Sequence, residues 1–197
     1  MKRRVDYLLV ITLVLSGCAG VKTATDAGPM PERVDLVTLP LSESDREGLE
    51  RVRQALADQK PKEAESQLRK VETAHRFHPD VLMLRAMLAR RQGEYRDAVQ
   101  ALETLLGQEP ADAAATNDLA LLYRQQGRVD EAASLLERAL DAHPEDPRLH
   151  YNLAVLSELY LLDLDKALTH YRRYQSLSDG KDEDVALWIR DLERRVE

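Results

Sequence analysis

The apolar residues of this chain follow two different patterns along its length. Near the start, Tyr7 to Leu15 form one apolar run, whereas from about residue 45 onward apolar positions recur with the spacing of amphipathic helices. The last such stretch has the clearest apolar stripe, made of Val185, Trp188, Ile189, Leu192 and Val196. Between the two patterns, residues 19–43 contain three prolines and show no sustained period. The pattern predicts an all-α protein that follows a non-helical linker.

The N-terminal apolar run is nine residues long. That is too short to cross a bilayer core, which takes about 20 residues. Three basic residues precede it, and this order of basic and apolar residues is typical of a signal peptide. The residues that follow, Leu15-Ser16-Gly17-Cys18, resemble a lipobox. The resemblance implies that residues 1–17 are a signal peptide, cleaved before Cys18, and that Cys18 receives lipid; a buried core cysteine is the alternative.

The lipobox resemblance also implies a location and a tether. In lipoproteins of this kind an Asp after the cysteine tends to retain the product at the inner membrane, so Ala19 points to the periplasmic face of the outer membrane. Residues 18–43 would be the lipidated N-terminus and a flexible tether, although Val34 to Leu41 is also compatible with a docked extended segment. Cleavage would leave 25 Lys and Arg against 34 Asp and Glu. The lipid on Cys18, rather than charge, would therefore hold the protein to the membrane, and an acidic chain offers no basic face for nucleic acid.

Small residues recur at a fixed interval through the rest of the chain. Ala64, Ala98 and Ala132 are each 34 residues apart, as are Gly93 and Gly127 and, further on, two prolines. This spacing, with alanine where helices approach, glycine in a turn and proline after a helix, resembles the tetratricopeptide repeat. The resemblance implies an α-solenoid of three to four helical hairpins with a C-terminal capping helix, in which neighbouring hairpins share one core. A generic helical bundle is the alternative.

The repeat register divides the helical part of the chain. The predicted segments are a degenerate hairpin at 44–78, repeats at 79–112, 113–146 and 147–178, and a capping helix at 179–197. Ser44 and Glu47 fit a capping box at the start of the first hairpin. The third full copy has one extra residue in its turn and lacks the turn glycine. Trp188 on the last helix belongs either to the cap or to a partner-binding patch.

In the repeat family the first helices of the hairpins line an inner groove, and the resemblance assigns residues to it. These are Met83, Met87, Arg90, Arg91, Asn117, Leu121, Arg124, Arg148, Tyr151 and Val155. Methionine adapts to partners of varied shape, and arginine and tyrosine are enriched at binding hot spots. A partly apolar groove with a positive rim would suit an extended or helical peptide with acidic and apolar residues. The alternative is that these arginines are solvated and paired along the helices.

The sequence contains no phosphate-binding glycine loop, no Gly-x-Ser-x-Gly elbow and no His-Glu-x-x-His motif. His75 and His78 are compatible with a metal pair, but no residue in clear register completes a site, and two surface histidines are the alternative. We expect no enzyme activity, no catalytic residue, no metal site and no cofactor. The expected role is a protein-binding scaffold for an outer-membrane machine that serves pili, secretion or protein insertion. The alternative is a non-catalytic subunit or helper of a cell-envelope polysaccharide or peptidoglycan enzyme system.

Overall fold

The computed structural model describes residues 40–180 and 182–196. All regular structure in these residues is helical, which confirms the predicted all-α class. The helices are α1 (Glu43–Ala57), α2 (Pro61–His75), α3 (Pro79–Gln92), α4 (Tyr95–Gln108), α5 (Ala113–Gln125), α6 (Val129–Ala142), α7 (Pro147–Leu156), α8 (Leu164–Leu177) and α9 (Glu183–Val196). Helices α1 to α8 pack as four consecutive hairpins, and α9 packs on α8. The predicted signal peptide, Cys18 and the tether up to residue 39 lie outside the described residues.

Helix α1 begins earlier than its predicted cap at Ser44. Ser42 caps the helix instead: its Oγ accepts from the amide of Asp45 at 3.1 Å, and the Ser42 amide donates to the Asp45 carboxylate at 3.3 Å. This start also brings the Asp45 carboxylate to 3.2 Å from Nε2 of His75, at the end of α2. Leu41 packs against the apolar core of the first hairpin. The helix therefore starts inside the predicted tether, because this register satisfies the amides of the first turn and the packing of Leu41 together.

The first helices of the hairpins end in residues with left-handed backbone conformation. Gly93 and Gly127 follow α3 and α5 with φ angles of 79° and 75°, and glycine adopts this conformation without a steric penalty. The first hairpin has no glycine at this place, and Gln59 takes a φ of 59° instead. Proline occupies the first position of α2, α3 and α7, where its missing N–H costs no intrahelical hydrogen bond.

The extra residue of the third full repeat is absorbed at the end of α7. Residues Ser157–Leu161 form a turn of π-helix, and Leu162 then adopts a φ of 56°. The amide of Asp163 donates to the carbonyl of Ser157, six residues earlier, at 2.9 Å. The corresponding bonds of the two preceding hairpins span five residues: Glu94 N to Ala89 O and Arg128 N to Tyr123 O. The insertion thus widens one helical turn and leaves the start of α8 in place.

The interior consists of three apolar clusters along the solenoid. The recurring alanines are completely buried where helices approach one another: Ala64, Ala98, Ala132 and Ala167. Helix α3 contributes to both the first and the central cluster, and α7 to both the central and the third. Because these two helices are shared, the clusters join into one interior, which is how stacked hairpins gain stability.

Helix α9 covers the last hairpin. Val185, Ile189 and Leu192 are buried in the third cluster, against α7 and α8. Trp188 lies beside this stripe and is 38% exposed. Arg195 pairs with Glu158 at 3.3 Å, which fixes the far end of α9 to the π-helical turn. Among the helices of residues 40–180 and 182–196, none is long and apolar enough to cross a membrane.

Candidate functional site

The first helices of successive hairpins, α3, α5 and α7, are joined by contacts between their polar side chains. Arg90 of α3 lies 3.7 Å from the carboxylate of Asp118 on α5. Asn152 Nδ2 of α7 donates to Oδ1 of Asn117 on α5. We name the surface formed by the solvent-facing sides of α3, α5 and α7 the inner groove. The predicted groove residues Arg90 and Asn117 therefore both face a neighbouring helix of this groove.

The predicted apolar groove residues offer different amounts of surface. Met83 and Met87 are half-buried, because Met83 packs against the central cluster and Met87 against the first. Leu121 is half-buried, and Tyr151 packs at the edge of the third cluster. Val155 is 9% exposed and is itself a member of that cluster. The floor of the groove is thus shared with the core, and Val155 can supply little contact area to a partner.

The four arginines of the predicted rim fall into two classes. Arg90 is held by the contact to α5, and the guanidinium of Arg148 donates two hydrogen bonds to the carboxylate of Asp146, at 2.8 and 3.2 Å. Arg91 and Arg124 form no ion pair with any other described residue. The first two guanidinium groups are constrained, whereas those of Arg91 and Arg124 are available to a carboxylate from outside.

The carboxyl group of Asp118 lies among the arginines of the groove. Burial raises the pKa of Asp118 above its ordinary value, while the charges of Arg90 and Arg148 act to lower it and Asp112 acts to raise it. A partly desolvated carboxylate between two arginines competes with any incoming carboxylate for the same cations. Nothing in the sequence marks this role, because Asp118 follows Asn117 directly and lies outside the positions that the repeat assigns to the groove.

The groove ends in a pocket that the repeat pattern does not predict. The pocket has a volume of about 390 Å³. Its lining residues are Asn117, Arg148, Tyr151, Asn152, Tyr174 and Asp182. The Tyr174 hydroxyl donates to the Asp182 carboxylate at 3.0 Å, and burial together with this hydrogen bond raises the pKa of Tyr174. Tyr174 lies on α8 and Asp182 in the segment before α9. The repeat pattern assigns groove residues only to the first helices of the hairpins, so it does not predict these two residues.

Comparison with known families identifies the hairpins. The family model for the tetratricopeptide repeat matches residues 83–147 and 118–182, which together make up half of the chain. The chain belongs to the tetratricopeptide repeat family. The matched residues contain most of α3 and all of α4 to α8, whereas α1 and α2 lie outside them. Within residues 83–182, the recurring alanines and the turn glycines are thus those of this family's repeats.

Solved structures of three proteins resemble this chain in fold. PilF of Pseudomonas aeruginosa aligns with a TM-score of 0.69 and 21% identity, over 78% of this chain and 69% of its own. A tetratricopeptide repeat protein of Thermus thermophilus has a TM-score of 0.62 and 19% identity, over 77% and 82%. An O-GlcNAc transferase of Thermobaculum terrenum has a TM-score of 0.62 and 18% identity, over 70% of this chain and 27% of its own. At these identities the likeness shows the fold alone. No curated protein matches the chain.

The histidines that the sequence singles out make contacts at helix ends. Nε2 of His75 is 3.2 Å from the carboxylate of Asp45, and Nδ1 of His78 accepts from the amide of Asp80 at 3.3 Å. The rings of His75 and His78 meet edge to face, with centroids 6.5 Å apart. Within residues 40–180 and 182–196, no group of three or more His, Cys, Asp or Glu residues could hold a metal ion. In this tetratricopeptide repeat protein the two rings fix the junction between the first hairpin and α3.

Proposed function

We propose that this chain is a lipid-anchored scaffold on the periplasmic face of the outer membrane, and that its repeats bind a protein partner through the inner groove. The partner would belong to an outer-membrane machine for pili, secretion or protein insertion. Membership of the tetratricopeptide repeat family supports a protein-binding role, and the lipobox-like sequence ending at Cys18 supports the anchor. The role requires no catalytic residue. The observation that carries it is the presence of unpaired arginines on the groove of an acidic protein.

The unpaired arginines alternate with apolar side chains along the groove. Met87 lies four residues before Arg91 on α3, and Leu121 lies three residues before Arg124 on α5, so each pair shares one helix face. Two neighbouring helices therefore each present a half-buried apolar side chain next to a free guanidinium. A peptide segment with acidic and apolar residues matches this arrangement, because its carboxylates can pair with the arginines while its apolar residues cover the methionine and the leucine.

The groove is tested by reversing the charge of the two unpaired arginines. Arg91→Glu with Arg124→Glu should reduce capture of the partner about tenfold or more, because attraction becomes repulsion at both contacts. Arg90 is unsuitable for this test, since a glutamate there would face the carboxylate of Asp118 and disturb the fold. The matched control is Arg96→Glu with Arg138→Glu on the second helices α4 and α6.

The control changes the net charge by the same amount, and its exposed arginines form no ion pair with a described residue. Capture is measured by placing a photo-crosslinking amino acid at Leu121, recovering the full chain from solubilised envelopes and identifying the linked protein. Equal capture by the two double variants would discard the groove. Recovery of one stoichiometric outer-membrane protein favours the scaffold, whereas co-purified glycan or hydrolytic activity favours a helper of a polysaccharide or peptidoglycan enzyme.

The anchor is tested at the single cysteine of the chain. Cys18→Ser should leave uncut precursor and abolish fractionation with the outer membrane. Because no other thiol exists, a palmitate analogue should label the unaltered chain and not the variant. Ser16→Ala, which keeps a small residue before the cysteine, serves as the control and should be labelled normally. Outer-membrane fractionation of the Cys18→Ser variant would remove the anchor from the proposal without affecting the groove.

A further inference from the structure

Four aromatic rings gather at the end of the inner groove. Tyr151 of α7 lies between Tyr174 of α8, at 5.2 Å between ring centroids, and Trp188 of α9, at 6.4 Å. Tyr171 lies beneath them, 5.6 Å from Trp188 and buried in the third cluster. The other three rings are partly exposed. They form a platform of aromatic faces that is held rigidly, because it is built from three helices packed on one another.

The pocket beside this platform carries a fixed carboxylate. Asp182 accepts from the hydroxyl of Tyr174 at 3.0 Å and from the amide of Val185 at 3.1 Å, so both contacts hold its side chain at the start of α9. Glu183 and Asp184 follow directly and are exposed. Residues 179–184 contain four acidic residues and one lysine. This negative charge outweighs the roughly half positive charge that the N-terminus of α9 contributes.

The arginine that lines the pocket does not cancel this charge. Arg148 lines the pocket, but its guanidinium already makes two hydrogen bonds to the carboxylate of Asp146. The hydrogen-bonded amides of Asn117 and Asn152 also line the pocket. The pocket therefore combines a neutralised ion pair with aromatic faces and a carboxylate that has no cationic partner among the described residues. Aromatic faces and carboxylates both attract cations, and the planar guanidinium group can stack on a ring while it pairs with a carboxylate.

We propose that this pocket, lined by Tyr151, Tyr174 and Asp182 and flanked by Trp188, receives an arginine side chain of the protein partner. This inference rests on the proposed function of the groove and makes it more specific. The partner would place acidic residues over Arg91 and Arg124 and an arginine in the pocket. The charge order along the groove would then fix the direction in which the partner segment lies.

Trp188 allows a direct test, because it is the only tryptophan of the chain and its ring centroid lies 6.4 Å from that of Tyr151, which lines the pocket. The full chain in detergent is titrated with the blocked peptide acetyl-Leu-Ala-Arg-Ala-amide and with its counterpart in which neutral citrulline replaces arginine. We expect a saturable change in tryptophan emission with the arginine peptide and an affinity for the citrulline peptide lower by about fivefold or more. The difference should shrink when salt is raised from about 20 to 200 mM, because the pocket is partly open to solvent.

The variant Asp182→Asn removes the charge and keeps one oxygen to cap α9, while its amide NH2 can donate to the Tyr174 hydroxyl in place of the carboxylate oxygen that now accepts from it. It should weaken the arginine peptide about fivefold or more and leave the citrulline peptide unchanged. Asp141→Asn on α6 is the matched control, since it removes one exposed carboxylate that does not line the pocket. If Asp182→Asn alters the emission of Trp188 without peptide, the comparison of the two peptides on the unaltered chain decides whether the pocket selects arginine.

Equal binding of the two peptides, or no binding of either, would overturn the proposal. So would full retention of arginine selectivity in a folded Asp182→Asn variant. Failure here is distinguishable from failure of the groove: a chain that loses its partner through Arg91→Glu with Arg124→Glu, but keeps it with Asp182→Asn, has a working groove without this pocket.

Discussion

The turn glycines make a quantitative prediction about the backbone. Gly127 follows α5 with a φ of 75°, and a methyl group added to it would meet no atom within 4 Å. Gly107 is the next-to-last residue of α4, is exposed, and would also meet nothing within 4 Å. The change from glycine to alanine is therefore free of steric contacts at both positions. Only the backbone conformation differs, so the two variants isolate its contribution to stability.

The expected effects have opposite signs. At Gly127 alanine must adopt a left-handed conformation, which costs about 1–2 kcal/mol. The smaller entropy of the unfolded alanine chain returns about 0.4–1 kcal/mol. The free energy of unfolding should therefore fall by about 1 kcal/mol in Gly127→Ala. At Gly107 the backbone is helical, so Gly107→Ala should raise the free energy of unfolding by about 0.5–1 kcal/mol.

Both effects are measured by urea unfolding and by thermal melting of the full chain. Circular dichroism follows all helices, and the emission of Trp188 follows the last hairpin with α9. The melting temperature should fall by about 2–4 °C in Gly127→Ala and rise by about 1–4 °C in Gly107→Ala. Gly127→Asn is the control and should cost less than the alanine variant, because asparagine tolerates the left-handed conformation. Shifts of the same sign in both alanine variants would refute the assignment of Gly127 to a conformational stop.

Three further predictions concern stability. Leu162→Gly should raise the free energy of unfolding by up to about 1 kcal/mol, because Leu162 has a φ of 56° while 75% of it is exposed, and melting should show the rise. Leu136→Ala should lower it by about 2–5 kcal/mol in urea unfolding, since the side chain is 0% exposed, whereas half-buried Leu135→Ala should cost much less. Burial, with the charges of His150 and Lys166, lowers the pKa of His170 to about 4. Between pH 6.5 and 4 the unfolded chain therefore binds more protons than the folded chain. The free energy of unfolding should fall as the pH is lowered through this range and stay level above it. In His170→Asn the midpoint of urea unfolding should depend less on pH over the same range.

The sequence predicts the stacking of helices well, because that stacking depends on residues whose role is local. An alanine is needed wherever two backbones approach, so Ala64, Ala98 and Ala132 report the repeat length directly and are fully buried. Glycine is favoured where φ is positive, so Gly93 and Gly127 report the ends of first helices. These requirements apply residue by residue, and a sequence displays them without knowledge of tertiary contacts.

Choices between nearly equal local solutions are decided by tertiary contacts and are harder to predict. Two serines could have capped α1, and the contacts of Asp45 and Leu41 select Ser42 over Ser44. The extra residue of the last repeat could have lengthened its turn. It widens the end of α7 into a π-helical turn instead, which keeps Leu161 packed against the central cluster. Both outcomes depend on neighbours that are distant in sequence.

The charges of the groove are likewise predictable where they depend on the repeat, and not where they depend on tertiary contacts. Repeat positions identify Arg91, Arg124 and the other first-helix residues, because the spacing of first helices repeats. The neutralising ion pairs do not repeat: Asp118 has no counterpart 34 residues away, and Asp112, the counterpart of Asp146, has Ala114 where Asp146 has Arg148. These single pairs decide which arginines are left for a partner. The acidic, aromatic end of the groove arises only where the regular repeat gives way to α9. A partner selected for negative charge alone would therefore satisfy the rim and leave Asp182 unpaired, which is why we expect the segment that binds here to carry charges of both signs.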